Sequence, residues 1–211
     1  MTLIQNCWKP FSILLLGLGS LFLVSCGGSR ETAHHDSESE ILVSVTDQRM
    51  LLMKNGKPVK MYAISTSKFG LGNERGSMRT PLGNLEVAQK IGGGAKPGAV
   101  FKGRRPTGEV LKPNAPGRDP IVTRILWLRG KETHNANTFR RLIYIHGTPE
   151  EKRIGRPASY GCIRMRSRDV IDLYNRVGVG ADVRVIRGSL ERTPEGRKYY
   201  AKYGKWMKDR V

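Results

Sequence analysis

Residues 41–65 read ILVSVTDQRMLLMKNGKPVKMYAIS. Three short β-rich runs lie inside this stretch: ILVSVT (41–46), RMLLMK (49–54) and VKMYAIS (59–65). Between the second and third stands Asn55-Gly56, two residues that tolerate the positive φ a tight hairpin turn requires. The opening of the domain therefore reads as consecutive antiparallel strands. Working outward, the same kind of run recurs at NLEVAQKI (84–91), PIVTRILWL (120–128), RRLIYIHG (140–147) and ADVRVIR (181–187). Only SRDVIDLYNRV (167–177) carries a helical period. Val170, Leu173, Tyr174 and Val177 share one face, Ser167 stands where a cap belongs, Asp169 suits the first turn, and Gly178 is the expected stop. The expectation is a mainly β domain over residues 41–187 with one or two short helices packed on it. Roughly 150 residues are enough to bury a core.

The stretches between these runs are less regular. Residues 92–118 are rich in Gly and Pro and predict a long loop, the kind that borders binding sites. Gly70-Leu71-Gly72-Asn73-Glu74-Arg75-Gly76 has the wrong spacing for a dinucleotide loop, and Gly92-Gly93-Gly94 lacks the Lys-Ser/Thr ending of a phosphate loop. The tail 188–211 is basic and aromatic. It reads either as a helix at a membrane or wall surface or as a helix packed on the domain.

The front of the chain has a different character. Residues 11–25, FSILLLGLGSLFLVS, form an apolar run behind Lys9 that is short for a membrane-spanning helix and fits a secretory signal. Its end, Leu23-Val24-Ser25-Cys26, resembles a bacterial lipobox. That resemblance implies cleavage after residue 25, lipidation of Cys26 and attachment to a bilayer at the cell envelope. Residues 26–40 are polar and read as a flexible tether, with His34 and His35 solvated.

The chain has 37 Lys+Arg against 18 Asp+Glu, a formal charge of +19. Such a balance favours polyanionic partners. The basic residues are scattered and no recognition-helix or zinc-finger pattern is present, so nucleic acid is not the expected partner.

Cysteine usage narrows the chemistry. Cys7 leaves with the signal and Cys26 is capped by lipid, which leaves Cys162 without an internal partner in an oxidising compartment. The bland reading is a buried small hydrophobe. Sixteen residues earlier His146 closes the strand LIYIH. An imidazole within hydrogen-bond reach of a thiol can take its proton or stabilise the thiolate. The segment between them, GTPEEKRIGRPASYG, is long enough to bring the two side chains into direct contact. Backbone amides at Tyr160, Gly161 and Cys162 could form an oxyanion hole. His134 lies in the loop sequence KETHNANT and is expected to be solvated. No further His or Cys stands at ligand spacing, so no metal site is expected.

His146-Gly147-Thr148 followed by Ser159-Tyr160-Gly161-Cys162-Ile163-Arg164-Met165 resembles the signature of L,D-transpeptidase catalytic domains, the YkuD family. Arg79-Thr80-Pro81-Leu82-Gly83 is similar to that family's Thr-Pro-x-Gly turn. Together with the opening strands, the likeness covers roughly residues 41–187. It departs at Tyr160, where many members have His. The resemblance implies a β-sandwich or barrel-like fold, Cys162 as nucleophile, His146 as base and later acid, and the Gly147 carbonyl as the group that orients the imidazole. It also implies substrate contacts from the backbone of Tyr160 and Gly161, with Arg164 a candidate to hold a substrate carboxylate and Ser159 to bond the loop or the substrate. The implied reaction is acyl transfer on peptidoglycan stem peptides through a cysteinyl thioester, with loss of D-alanine, no cofactor, and a monomeric enzyme. Water as acceptor would make it a carboxypeptidase. A non-catalytic wall-binding module of the same fold is the alternative of a different class.

Overall fold

The computed structural model describes residues 35–204. The expected signal segment, the expected lipidation site Cys26 with its neighbours to residue 34, and the last seven residues lie outside that range.

Ten strands form one sheet system. β1 (Ser39–Ser44), β2 (Arg49–Lys54) and β3 (Lys57–Ala63) follow one another as an antiparallel meander. Asn55 and Gly56 both take positive φ, 49° and 68°, at the turn between β2 and β3. β4 (Gly83–Ile91), β7 (Ile121–Gly130) and β10 (Asp182–Ile186) continue the sheet, in the order β3-β2-β1-β10-β4-β7. β10 is parallel to β1, with Glu40 opposite Asp182 and Ser44 opposite Ile186. β8 (Tyr144–Gly147) pairs antiparallel with the other edge of β7, and β9 (Ile163–Met165) pairs parallel with β8. The mainly β expectation with two helices is met.

Two α-helices pack on this frame. α1 (Ser167–Arg176) buries Val170 and Leu173 in the main core with Ile41, Leu52, Leu85, Leu128, Ile145 and Ile163. Each fully buried aliphatic side chain contributes about 1.5–3 kcal/mol relative to exposure. α2 (Pro194–Tyr203) lays Tyr199 and Tyr200 against Leu42, Leu51, Met53 and Met61 in a second cluster. The described part of the tail is therefore packed on the domain. It begins with Thr193, whose hydroxyl caps the helix by accepting from the Gly196 amide, and Pro194, which fits the first helical turn.

Several expectations need correction. The segment 92–118 holds a hairpin, β5 (Ala99–Lys102) and β6 (Arg105–Val110), closed by Gly103 and Arg104 at φ 56° and 67°. Phe101 is buried in an aromatic cluster with Trp127 and Tyr144, which fixes the hairpin. Ser167 is not the cap of α1 but its first residue: Arg166 holds the cap position without a side-chain bond, and Ser167 Oγ meets Thr123 Oγ1 at 2.8 Å. The helix ends at Val177 in extended conformation, and the Gly178 amide donates to Asp36 Oδ2 at 2.6 Å. That bond, with the Asp36 amide donating to the Val179 carbonyl at 2.7 Å, also ends the predicted tether early. β1 then starts at Ser39, two residues before the predicted edge.

Candidate active site

The run RRLIYIHG was read as one strand, but only Tyr144–Gly147 is extended. Leu142 takes φ 59°, a conformation that costs a branched L-residue energy. Its effect is local: the turn presents the Leu142 carbonyl to the Cys162 thiol at 3.4 Å, and the Tyr144 amide donates to the same sulfur at 3.4 Å. Cys162 is partly exposed, one residue before β9, and its sulfur packs beside Phe101, Trp127 and Tyr144.

His146 lies on the neighbouring strand, opposite Arg164 in the parallel register. It is 4 % exposed. Its Nδ1 sits 2.8 Å from the Gly147 carbonyl. A carbonyl can only accept, so Nδ1 carries the proton and Nε2 holds the lone pair. This is the orientation the resemblance assigned to Gly147. The expected direct bond between sulfur and imidazole is absent among the described contacts. Instead, the thiol rests on Leu142 and Tyr144.

Burial sets the resting charge of both groups. Burial pushes the Cys162 thiol up to about 11, against smaller downward pulls from the Tyr144 amide, Arg164 and Arg141. Burial likewise lowers the His146 pKa to about 4, with Arg164 acting in the same direction and the Gly147 carbonyl and Asp119 opposing it. At neutral pH both groups are uncharged, and the resting pair is thiol plus imidazole.

That state has a signature in stability. The unfolded histidine, with its pKa near 6.5, binds a proton that the folded protein refuses until about pH 4, so stability falls as pH drops through that window. The unfolded thiol ionises near 9 while the folded one keeps its proton to about 11, so stability also falls as pH rises through that range. Melting temperature against pH is expected to plateau between 6.5 and 9. His146→Gln should flatten the acid limb. An unchanged acid limb in that variant would assign it to other groups.

The loop carrying Cys162 is held from three sides. The Ser159 hydroxyl donates to the Cys162 carbonyl and accepts from the Gly161 amide. Ser159 therefore bonds the loop, and the Gly161 amide is committed to it, which removes that amide from the expected oxyanion hole. Thr80, fully buried, accepts from the Ser67 amide at 3.0 Å and donates to the Gly161 carbonyl at 3.0 Å. Gly161 has φ 123°, and an added Cβ would lie 3.2 Å from Ile143 Cδ1, so only glycine takes this position without strain. Tyr160 is 57 % exposed; Lys68 Nζ sits 3.1 Å from its hydroxyl and Phe69 lies against its ring.

Arg164 departs from expectation. Its side chain is buried, with Nη2 2.5 Å from Asp119 Oδ2 and Nη1 3.4 Å from Glu150 Oε2. A guanidinium already forked onto two protein carboxylates is not open to a substrate carboxylate. Asp119 also accepts from the Thr148 hydroxyl, which ties the histidine strand to the same ion pair. His134 is half exposed in a 3-10 turn (Thr133–Asn135), with Glu132 3.6 Å away.

Sequence reading missed Thr80, Asp119 and the Leu142 carbonyl as parts of this site. The Thr-Pro turn was a signal for the first. The other two have none, because their roles arise from backbone turns and a long-range ion pair.

The family model for the L,D-transpeptidase catalytic domain, YkuD, matches residues 38–186. "Probable L,D-transpeptidase YbiS" of Escherichia coli strain K12 is 39% identical over 61 residues, 28% of this chain and 20% of its own length, so the match spans about a fifth of that relative. An L,D-transpeptidase from Mycobacterium smegmatis aligns over 71% of this chain and 58% of its own, at 17% identity and a TM-score of 0.46. One from Xylanimonas cellulosilytica covers 72% and 62%, at 18% identity and a TM-score of 0.45.

Proposed function

The chain belongs to the L,D-transpeptidase catalytic-domain family, and from that premise we propose that it transfers peptidoglycan stem-peptide acyl groups through a thioester on Cys162. The observation that carries this reading is the fixed tautomer of His146. With Nδ1–H spent on the Gly147 carbonyl, Nε2 is the one imidazole nitrogen able to take a proton.

In the proposed reaction the substrate carbonyl approaches Cys162, and the thiol leaves the Leu142 carbonyl and gives its proton to His146 Nε2. The sulfur attacks the carbonyl between the third stem residue and the following D-alanine. A C–S bond forms and the carbonyl electrons move to oxygen. Collapse expels the D-alanine amine, which takes the proton back from the imidazolium. An amine of a second stem then attacks the thioester, loses its proton to His146, and restores the thiol. The neutral resting pair suits this cycle, because charge develops only when substrate is in place. Arg164 favours the thiolate electrostatically, and Asp119 offsets its push on His146.

The proposal extends to location. The lipobox-like Leu23-Val24-Ser25-Cys26 supports a lipid-anchored protein at the cell envelope, beside the wall it would remodel. Incubating the full chain with purified tetrapeptide muropeptides tests the reaction. Cross-linked dimers with equimolar free D-alanine are the expected products. Free D-alanine with tripeptide and no dimer would replace transfer by hydrolysis, and neither product would leave only a binding role.

A further inference from the structure

A cavity of about 270 Å³ is lined by Arg75, Asn137, Arg140 and Arg141. Three arginines lining one small cavity carry like charges that repel one another unless an anion joins them. Among the described residues none of the three stands within ion-pair distance of a carboxylate, and Glu74 acts on Arg141 only through space. Arg75 and Arg140 are exposed. Arg141 is half-buried and fixed: Nη1 donates to the Gly72 carbonyl at 3.1 Å and Nη2 to the Arg79 carbonyl at 2.6 Å.

The cavity is tied to the candidate active site by two short links. Arg141 immediately precedes Leu142, whose carbonyl holds the thiol. The Arg79 carbonyl that Arg141 grips lies 3.4 Å from where a Cβ on Gly161 would stand, so the cavity wall and the nucleophile loop touch. Arg141 and Cys162 also feel each other electrostatically.

We propose that this arginine-lined cavity is an anion subsite that seats a free carboxylate of the peptide reacting at Cys162. A planar carboxylate matches the guanidinium fork, and the volume admits the group with the carbons that carry it. The word "peptide" rests on the proposed function; the selectivity for an anion does not. The subsite takes over the task that Arg164, paired inside the fold, is not free to perform.

The test uses the full chain and the variant Arg75→Gln/Arg140→Gln, which alters two exposed side chains and spares the structural Arg141. Alkylation of Cys162, read by peptide mass, is compared for iodoacetate and iodoacetamide, which differ in charge and share the same displacement of iodide by sulfur. The iodoacetate-to-iodoacetamide rate ratio is expected to fall by about threefold or more in the variant. It should stay unchanged in Lys198→Gln/Lys202→Gln, an equal loss of charge on α2. With muropeptide substrate, the arginine variant should raise KM by about tenfold at unchanged kcat. The same stem with its free carboxylates amidated should show no difference between variant and wild type. An unchanged alkylation ratio overturns the subsite whatever the enzyme's reaction is. A lowered ratio in a protein that consumes no stem peptide keeps the anion site and defeats the proposed function instead.

Discussion

Cys162→Ala is expected to abolish acyl transfer, lowering kcat by ~10⁴-fold or below detection, while the protein stays folded. The sulfur is the atom to which the acyl group would bond, and no neighbouring side chain can replace it. Ser159 is the nearest aliphatic hydroxyl in sequence, and it is spent on the Cys162 carbonyl and the Gly161 amide. The stability cost should be small, about 1 kcal/mol, because the residue is only partly buried against its aromatic neighbours and its two sulfur hydrogen bonds are weak. Intact mass after exposure to a carbapenem reads the result directly. Wild type should gain one adduct and the variant none. Should the folded variant still be acylated, the nucleophile lies elsewhere.

His146→Gln should lower transfer by about 10²- to 10⁴-fold, the usual range for removing a positioned general base. The shape of the pH profile matters more than the size of the loss. In the wild type the acid limb should fall at about pH 4, where the imidazole becomes protonated and can no longer accept the thiol proton. The variant has no such base, so its residual rate should climb in proportion to hydroxide until the thiol ionises at about 11. Carbapenem acylation across pH 3–11 separates the two shapes. A wild-type acid limb near 6.5 would mean that His146 is solvated in the working enzyme. A flat profile in the variant would mean that another group takes the proton.

How much of this was legible beforehand depends on what decides each feature. The meander at 41–65 could be read because β-rich composition and the Asn55-Gly56 turn are local signals. α1 could be read from its apolar face, yet its ends could not: Ser167 looked like a cap and is instead bonded to Thr123, a partner 44 residues away. The β5–β6 hairpin was hidden because β5 is only four residues long and β6 is polar and exposed, and because Phe101 gains its place only from Trp127 and Tyr144. β9 is three residues long and exists through its neighbour β8. Cys162 and His146 stand out by chemistry, as the thiol without a disulfide partner and the histidine that ends a strand. The role of Arg164 could not be found that way, since nothing near it in sequence announces Asp119. Arg141 presents the same difficulty in reverse: one cation among 37 basic residues becomes distinct only when the Gly72 and Arg79 carbonyls fix it beside the Cys162 loop.

The position of β10 has a consequence for how the protein comes into being. The last strand of the domain is an interior one, hydrogen-bonded to β1 on one side and β4 on the other. Until the ribosome has released residue 186, the two halves of the sheet have no common edge. Such late closure, with partners 142 residues apart in sequence as in Glu40 and Asp182, also predicts slow folding, on the order of milliseconds to seconds. A stop codon placed before β10 would leave two sticky half-sheets, prone to aggregate and to be degraded.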